Sequence, residues 1–179
     1  SGTMNTLNIQ TVKKELPVFT TKLDNYEELN RYLKEVIREH RQLHPETNES
    51  NVKAWHSSWM THNENPKFQP IIDLVLSACE FISQGYFEQE MKFKCFNMWA
   101  MEYERGEYAV KHSHYPSDFA CAYYVDVEPG CAPIIFEGDL KVYPENGMLV
   151  VFPAILHHEV PPTDARRTVI SMNIDKSYV

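Results

Sequence analysis

The feature that most constrains how this chain folds is a change of texture at Tyr86. Beyond it, short apolar runs alternate with turn signals. Lys94–Tyr103 is rich in aromatics, Ala120–Val127 alternates, and Ile134–Phe136, Met148–Phe152 and Thr168–Ile174 are brief apolar stretches. Glu128-Pro129-Gly130, Glu137-Gly138-Asp139 and Glu145-Asn146-Gly147 punctuate them. Runs of that length, bounded by Gly, Pro and Asn, read as strands. Before Tyr86 the period is helical. Tyr26, Leu29, Leu33, Val36, Ile37 and His40 form one stripe over Asp24–His40, with Asp24 and Glu27 as a capping box. A second helix opens at Asn65-Pro66, carries Phe68, Ile71, Ile72, Val75, Cys79 and Ile82, and stops at Gly85.

Helices first and closely spaced strands after predict a mainly β chain with N-terminal helices packed on one side of a double-sheet jelly roll. The 179 residues suit one domain, 1–179, with 20–90 as helical support and 91–179 as the jelly-roll core. Thr6–Phe19 contains Pro17 and reads as one short strand or an extended arm. His44–Asn65 is long for a loop, so it is either functional or holds a short strand. Its Trp55 and Trp59, with His56 and His62 nearby, either line a substrate mouth or cover a core edge.

A net charge of −8 argues against a nucleic-acid footprint over the whole surface. Cys79, Cys95, Cys121 and Cys131 form no C-x-x-C pair, and read as reduced thiols of a cytoplasmic protein. No run of 18 apolar residues and no signal-peptide pattern occurs. Ser1–Thr3 ahead of Met4 read as a remnant of expression tagging. Exposed strand edges leave room for a homodimer.

Chemistry concentrates in Phe152–Asn173, FPAILHHEVPPTDARRTVISMN. His158 and Arg167 lie nine positions apart, on opposite sides of the Pro161-Pro162 turn. Neutral imidazole is a common metal ligand, and a guanidinium clamps a carboxylate through two hydrogen bonds. On an alternating strand Arg167, Val169, Ser171 and Asn173 share one face, and Thr168, Ile170, Met172 and Ile174 the other. The second face is apolar and calls for burial, which leaves the Arg167 face toward a cavity, where an Arg needs an anionic partner. His157 neighbours His158 but points the other way on extended backbone.

Upstream, Arg105–His114 reads RGEYAVKHSH. If the segment is a strand, His112 and His114 share a face, 46 residues before His158 in the case of His112. Two neighbouring ligands and one distant ligand fit the facial arrangement of non-haem iron sites. Those sites use two His and one carboxylate; here His114 stands where the carboxylate is expected, and Asp118 in HYPSD is the alternative third ligand. Tyr124 shares a strand face with Ala120, Ala122 and Asp126, and the small alanines leave room for a ligand.

Gly106, His112, the strand ACAYYVDV, the stretch APIIFE, FPAILHHEV and Arg167 follow one another in an order and spacing that resembles the 2-oxoglutarate and Fe(II)-dependent oxygenases, in their prolyl-hydroxylase-like branch. The match spans roughly Phe93–Ile174 and leaves the N-terminal half unassigned. Some similar bacterial and phage oxygenase-like proteins read H-x-H at the first site. The resemblance implies a double-stranded β-helix, the cupin-like jelly roll. It also implies Fe(II) on His112, His158 and His114. 2-Oxoglutarate would sit on Arg167 with Tyr124 as second contact, and Tyr103 and Ser171 would line the same pocket. The implied reaction hydroxylates a C–H bond of an unidentified small molecule or protein side chain and releases succinate and CO2. Two other classes fit the residues: a three-His cupin-type dioxygenase without 2-oxoglutarate, and a non-catalytic jelly-roll binding protein.

Overall fold

The computed structural model describes residues 2–178; Ser1, part of the expected remnant, lies outside them. Eleven strands, three α-helices and one 3-10 turn make up the described chain. Strand β1 is Phe19–Lys22, followed by helix α1, Tyr26–Leu43. Short strands β2 (Val52–Lys53) and β3 (Trp55–His56) precede one helical turn, α2 (Thr61–Glu64). A 3-10 turn, Pro66–Phe68, leads into α3 (Gln69–Gly85). The remaining strands are β4 (Phe93–Tyr103), β5 (Tyr108–His112), β6 (Phe119–Val127), β7 (Ile134–Phe136), β8 (Leu140–Val142), β9 (Met148–Pro153), β10 (His158–Val160) and β11 (Arg167–Lys176).

They form two antiparallel sheets. The larger runs β1-β9-β6-β11-β4-β3, and the smaller β2-β5-β10-β7-β8. Two apolar cores follow from two covered faces of the larger sheet. On one side α1 and α3 lay Leu33, Val36, Ile37, Ile71, Ile72 and Val75 over Met98, Tyr123, Leu149, Ile170 and Met172. On the other side, Trp99, Met101, Ala122, Tyr124, Phe152 and Val169 face Val52, Ala109, Ile134 and Phe136 of the smaller sheet. The central strands β6 and β9 are buried on both faces, which is why they read as nearly continuous apolar runs, whereas β11 sets polar residues on its cavity face. Among the described residues no helix is long and apolar enough to cross a membrane.

The expected alternation of β11 holds. Ile170, Met172 and Ile174 join the helix-side core, and Arg167, Val169 and Ser171 line the space between the sheets. Two expectations need correction. Asp24 and Glu27 form no capping box: Asn25 is the N-cap, in the left-handed region at φ 55, and no side chain caps the helix. The chain turns into α1 through Asn25 instead, and Glu27 and Glu28 in the first turn complement the helix dipole. Asp126 does not share a face with Tyr124. Thr168 pairs with Asp126 and Val169 with Tyr124, so Val125 is an extra residue, a bulge that flips the remainder of β6. Asp126 therefore points to α1, where it meets Lys34 at 3.9 Å. The segment 44–65 holds short strands, β2 and β3, as one of its two readings expected, together with α2, and it separates its two tryptophans. Trp55 is buried in the helix-side core beneath Arg41, covering a core edge. Trp59 is part-exposed and packs on His56 and Trp99. Residues 6–16 are exposed and lie in no helix or strand, Pro17 and Val18 are half-buried, and the strand begins only at Phe19.

Candidate metal centre

The smaller sheet sets up the first two histidines by register. His112, the last residue of β5, is the direct cross-strand partner of His158, the first residue of β10. Residues opposite each other in an antiparallel pair bring their side chains together on one face, and the two rings stand 4.5 Å apart between centroids. His114 lies two residues past the end of β5. Its amide donates to the Ala154 carbonyl at 2.8 Å, which turns its ring back under His158. The two rings are parallel, 5.0 Å apart, with Nε2 to Nε2 at 3.2 Å. The three donor atoms all lie within 4.8 Å of one another.

These residues fit a metal ion. Two nitrogens bound cis to one ion at about 2.1 Å lie about 3 Å apart, close to the His114–His158 separation of 3.2 Å. Two of the rings also have their second nitrogen engaged. His112 Nδ1 sits 2.6 Å from the Val110 carbonyl and His158 Nδ1 3.2 Å from the Leu156 carbonyl, which leaves Nε2 free in both. Protonation is disfavoured throughout. Burial, with His114 and His112 close by, lowers the His158 pKa to about 3. Burial and the neighbouring His112 lower His114 to about 4, against a small upward pull from the Asn173 side chain. Burial lowers His112 as well, with His157 adding to it. All three are neutral at pH 7, the form in which imidazole ligates.

The other expected ligands are engaged elsewhere. Asp118 Oδ2 accepts from the Lys176 amide at 2.8 Å and Oδ1 lies 3.8 Å from Lys176 Nζ, so its carboxylate secures the end of β11. His157 is exposed and faces Glu137 at 3.4 Å.

From the histidines the cavity runs between the sheets to Arg167. Arg167 is 3% exposed. Its guanidinium lies over the Tyr103 ring at 4.4 Å, and Nη1 donates to the Ala132 carbonyl at 2.9 Å. Nη2 is buried with no partner. Tyr103 is its cross-strand neighbour on β4, and Tyr124 stands on β6 on the same side of the sheet. Burial pushes the Tyr124 phenol up to about 12 and Tyr103 higher still, while the Arg167 charge draws both back down. Both phenols stay protonated at pH 7 and can donate. Ser171, one turn of the pleat from Val169, is buried between Ala122 and Trp99. Arg166 points away and pairs with Glu104 at 2.9 Å, as alternation requires.

Sequence reasoning gave two neighbours no place beside the histidines. Trp99 lies parallel to His114 at 5.7 Å, and His56 lies parallel to Trp99 at 5.5 Å. The only available signal for Trp99 was its place on the cavity side of an aromatic-rich strand. His56 was read only beside Trp55 and Trp59 at a candidate substrate mouth, since its burial against Trp99 depends on β3 pairing with β4.

No family model and no curated protein matches the sequence. Solved structures do. The chain is similar to a Pseudomonas putida prolyl-4-hydroxylase (TM-score 0.67, 16% identity, 90% of this chain and 93% of that one). It is similar to the viral collagen prolyl hydroxylase of Paramecium Bursaria Chlorella virus-1, solved as a 2OG complex (TM-score 0.60, 16% identity, 89% and 96%). It is also similar to SnoN, a non-heme alpha ketoglutarate dependent epimerase from nogalamycin biosynthesis (TM-score 0.64, 14% identity, 88% and 76%). At these identities the likeness is one of fold, that of a mostly β chain in two antiparallel sheets with helices.

Proposed function

We propose that this chain is an Fe(II)- and 2-oxoglutarate-dependent oxygenase built on a double-stranded β-helix, and that it hydroxylates a substrate C–H bond. His112, His114 and His158 would hold the iron. Arg167 would take the distal carboxylate of 2-oxoglutarate, with the Tyr103 and Tyr124 phenols as further donors and Ser171 on the cavity wall. With iron and cosubstrate bound, one O2 is spent on decarboxylating 2-oxoglutarate to succinate and CO2 and on inserting oxygen into the substrate C–H bond.

The observation that carries this reading is Arg167, a buried guanidinium with one nitrogen unpartnered, closing the same cavity whose other end holds three neutral imidazoles. An unpaired buried donor is costly, so it marks a place for an anion. A diacid that chelates at one end and is clamped at the other fills both requirements. Lack of a carboxylate ligand makes the site one charge more positive than a two-His, one-carboxylate site, which strengthens its hold on an anionic chelate. A three-His dioxygenase working without 2-oxoglutarate would have no use for that guanidinium.

The chain's own contribution is positioning. Burial keeps the imidazoles deprotonated, the Arg167 fork orients the cosubstrate, and the apolar walls of Trp99, Met101, Phe152 and Val169 exclude water. The test is anaerobic addition of 2-oxoglutarate to the Fe(II)-loaded protein. A visible metal-to-ligand charge-transfer band is expected; a protein that binds iron yet gives no band refutes the reading. Two of the similar structures are prolyl hydroxylases, so proline-containing peptides lead the substrate screen, scored by succinate release.

A further inference from the structure

Each imidazole of the triad has two ring nitrogens, and only one of them can face an ion. The other is a donor, and its acceptor fixes both the tautomer and the rotation of the ring. His112 and His158 find that acceptor in their own backbones, each two residues back, at Val110 and Leu156. His114 has no such contact. It stands beyond the end of β5, its amide is bonded to Ala154, and its Nε2 is the atom beside His158. A carboxylate in that position would carry no second donor. The histidine does, and its Nδ1 needs an acceptor from another element.

β11 carries one. Asn173 follows Ser171 on the cavity side, with Asn97 of β4 and Ala120 of β6 as its cross-strand neighbours. Its Nδ2 donates to Asn97 Oδ1 at 3.0 Å, and Asn97 Nδ2 is directed at Met60 Sδ at 3.5 Å. Since a thioether only accepts, this sequence of contacts settles which end of each amide is oxygen. Asn173 Oδ1 is thereby turned away from Asn97. It is buried and has no partner. The loop that bears His114 is fastened beside it, with the Asp118 amide donating to the Ile174 carbonyl at 3.2 Å. An orphaned acceptor and a ring that lacks an acceptor thus lie near one another, and the Asn173 side chain acts on His114 as a hydrogen-bond partner would, raising its pKa against the effect of burial.

We propose that Asn173 is a positioning residue for the third imidazole: its Oδ1 accepts from Nδ1–H of His114 and so presents Nε2 to the ion. Asn97 holds the amide in that orientation, and Met60, at the start of α2, holds Asn97. The inference rests on His114 being a ligand, as in the reading above, and it adds the group that lets a histidine work where a carboxylate is expected.

The test uses Zn(II), a diamagnetic ion that imidazole binds well, as the probe. Its affinity is measured by competition with a chromophoric chelator, for the whole chain and for Asn173→Leu, Asn173→Asp and Asn97→Leu. Removal of such an outer hydrogen bond costs roughly 10–100-fold in metal affinity. That loss is expected for Asn173→Leu, a smaller one for Asn97→Leu, and near-native affinity for Asn173→Asp, which keeps the acceptor. In parallel, 15N-histidine spectra of the Zn(II)-loaded protein should show three slowly exchanging Nδ1–H signals. Asn173→Leu should lose the His114 signal alone, a change that a purely structural role would not produce. Should Asn173→Leu misfold, Asn97→Leu carries the same two readouts. Zn(II) binding and three retained signals in Asn173→Leu, or loss in Asn173→Asp equal to that in Asn173→Leu, overturn the proposal while leaving the metal centre standing. No Zn(II) binding by the unaltered chain overturns both.

Discussion

Arg167→Met removes the guanidinium while keeping a long apolar stem over Tyr103, so it isolates the charge from the packing. The structure allows the effect to be sized. Nη1 is already satisfied by the Ala132 carbonyl, and Nη2 is the free nitrogen. A bound 2-oxoglutarate would therefore gain one strong new contact from Arg167, and a hydrogen bond to a charged group contributes roughly 1.5–3 kcal/mol. Tenfold in affinity per 1.4 kcal/mol converts this into a dissociation constant for 2-oxoglutarate raised about 10- to 150-fold. Arg167→Lys should fall between, since an ammonium supplies a point charge without the fork or the stacking. Iron affinity should be unchanged in both variants, because Arg167 is not a ligand. The assay is titration of the Fe(II)-loaded protein with 2-oxoglutarate, read at the charge-transfer band, with Arg166→Ala as control. Arg166 is exposed and paired with Glu104, and its loss should be neutral. The reasoning fails if Arg167→Met binds 2-oxoglutarate within twofold of the unaltered protein. It fails equally if Arg166→Ala is the damaging change.

Replacing His112 or His158 by Ala should abolish stoichiometric iron by elemental analysis, whereas His114→Asp should keep iron and some turnover because it restores a two-His, one-carboxylate set. Retention of full iron in both alanine variants would remove the metal centre. Acid should destabilise the metal-free protein in a defined window. Burial lowers the His56 pKa to about 4, and the unfolded chain returns it to 6.5. The neutral ring stabilises the fold fully above pH 6.5. That contribution, up to about 3 kcal/mol, is lost as pH falls from 6.5 toward 4, because the unfolded state takes up the proton first. Denaturant midpoints measured from pH 7 to 4 should show a smaller fall in His56→Phe than in the unaltered chain. Gly147→Ala should destabilise by about 2–4 kcal/mol in chemical denaturation: φ is 82 there, and a methyl group would overlap the Tyr26 ring. A neutral result would mean that the Tyr26 contact gives way easily.

What the sequence disclosed depended on whether the information was local. Alternation along β11 is a property of neighbouring residues, so the division of Arg167 and Ser171 from Ile170 and Met172 was legible. The period-2 argument failed at Asp126 because a bulge at Val125 is decided by pairing with β11, which the pattern within β6 does not record. The cap of α1 failed for a similar reason: Asp24 has the right chemistry, but the chain enters the helix through a left-handed Asn25. Trp55 and Trp59 looked alike in sequence and were parted because Trp55 lies in the two-residue strand β3 and Trp59 beyond its end. His112 and His158 were legible through motif order, and their cross-strand register adds the reason they meet. The carbonyls at the far nitrogens of His112 and His158 belong to Val110 and Leu156, only two residues back, but the ring rotations that reach them are set by the fold and were not legible.

β11 follows every other strand in the sequence, yet it sits in the interior of the larger sheet, between β6 and β4. Until it inserts, those two strands have open edges, and the helices have only part of a surface to pack on. During synthesis the chain must hold this split, apolar intermediate open until residues 167–176 leave the ribosome. Contacts of such long sequence separation form slowly and expose sticky surface meanwhile. Closure of the larger sheet and arrival of Arg167 in its cavity are then the same kinetic event. Recovery of 2-oxoglutarate binding on refolding should accordingly keep pace with burial of the neighbouring Trp99, with no folded but binding-incompetent species accumulating before it.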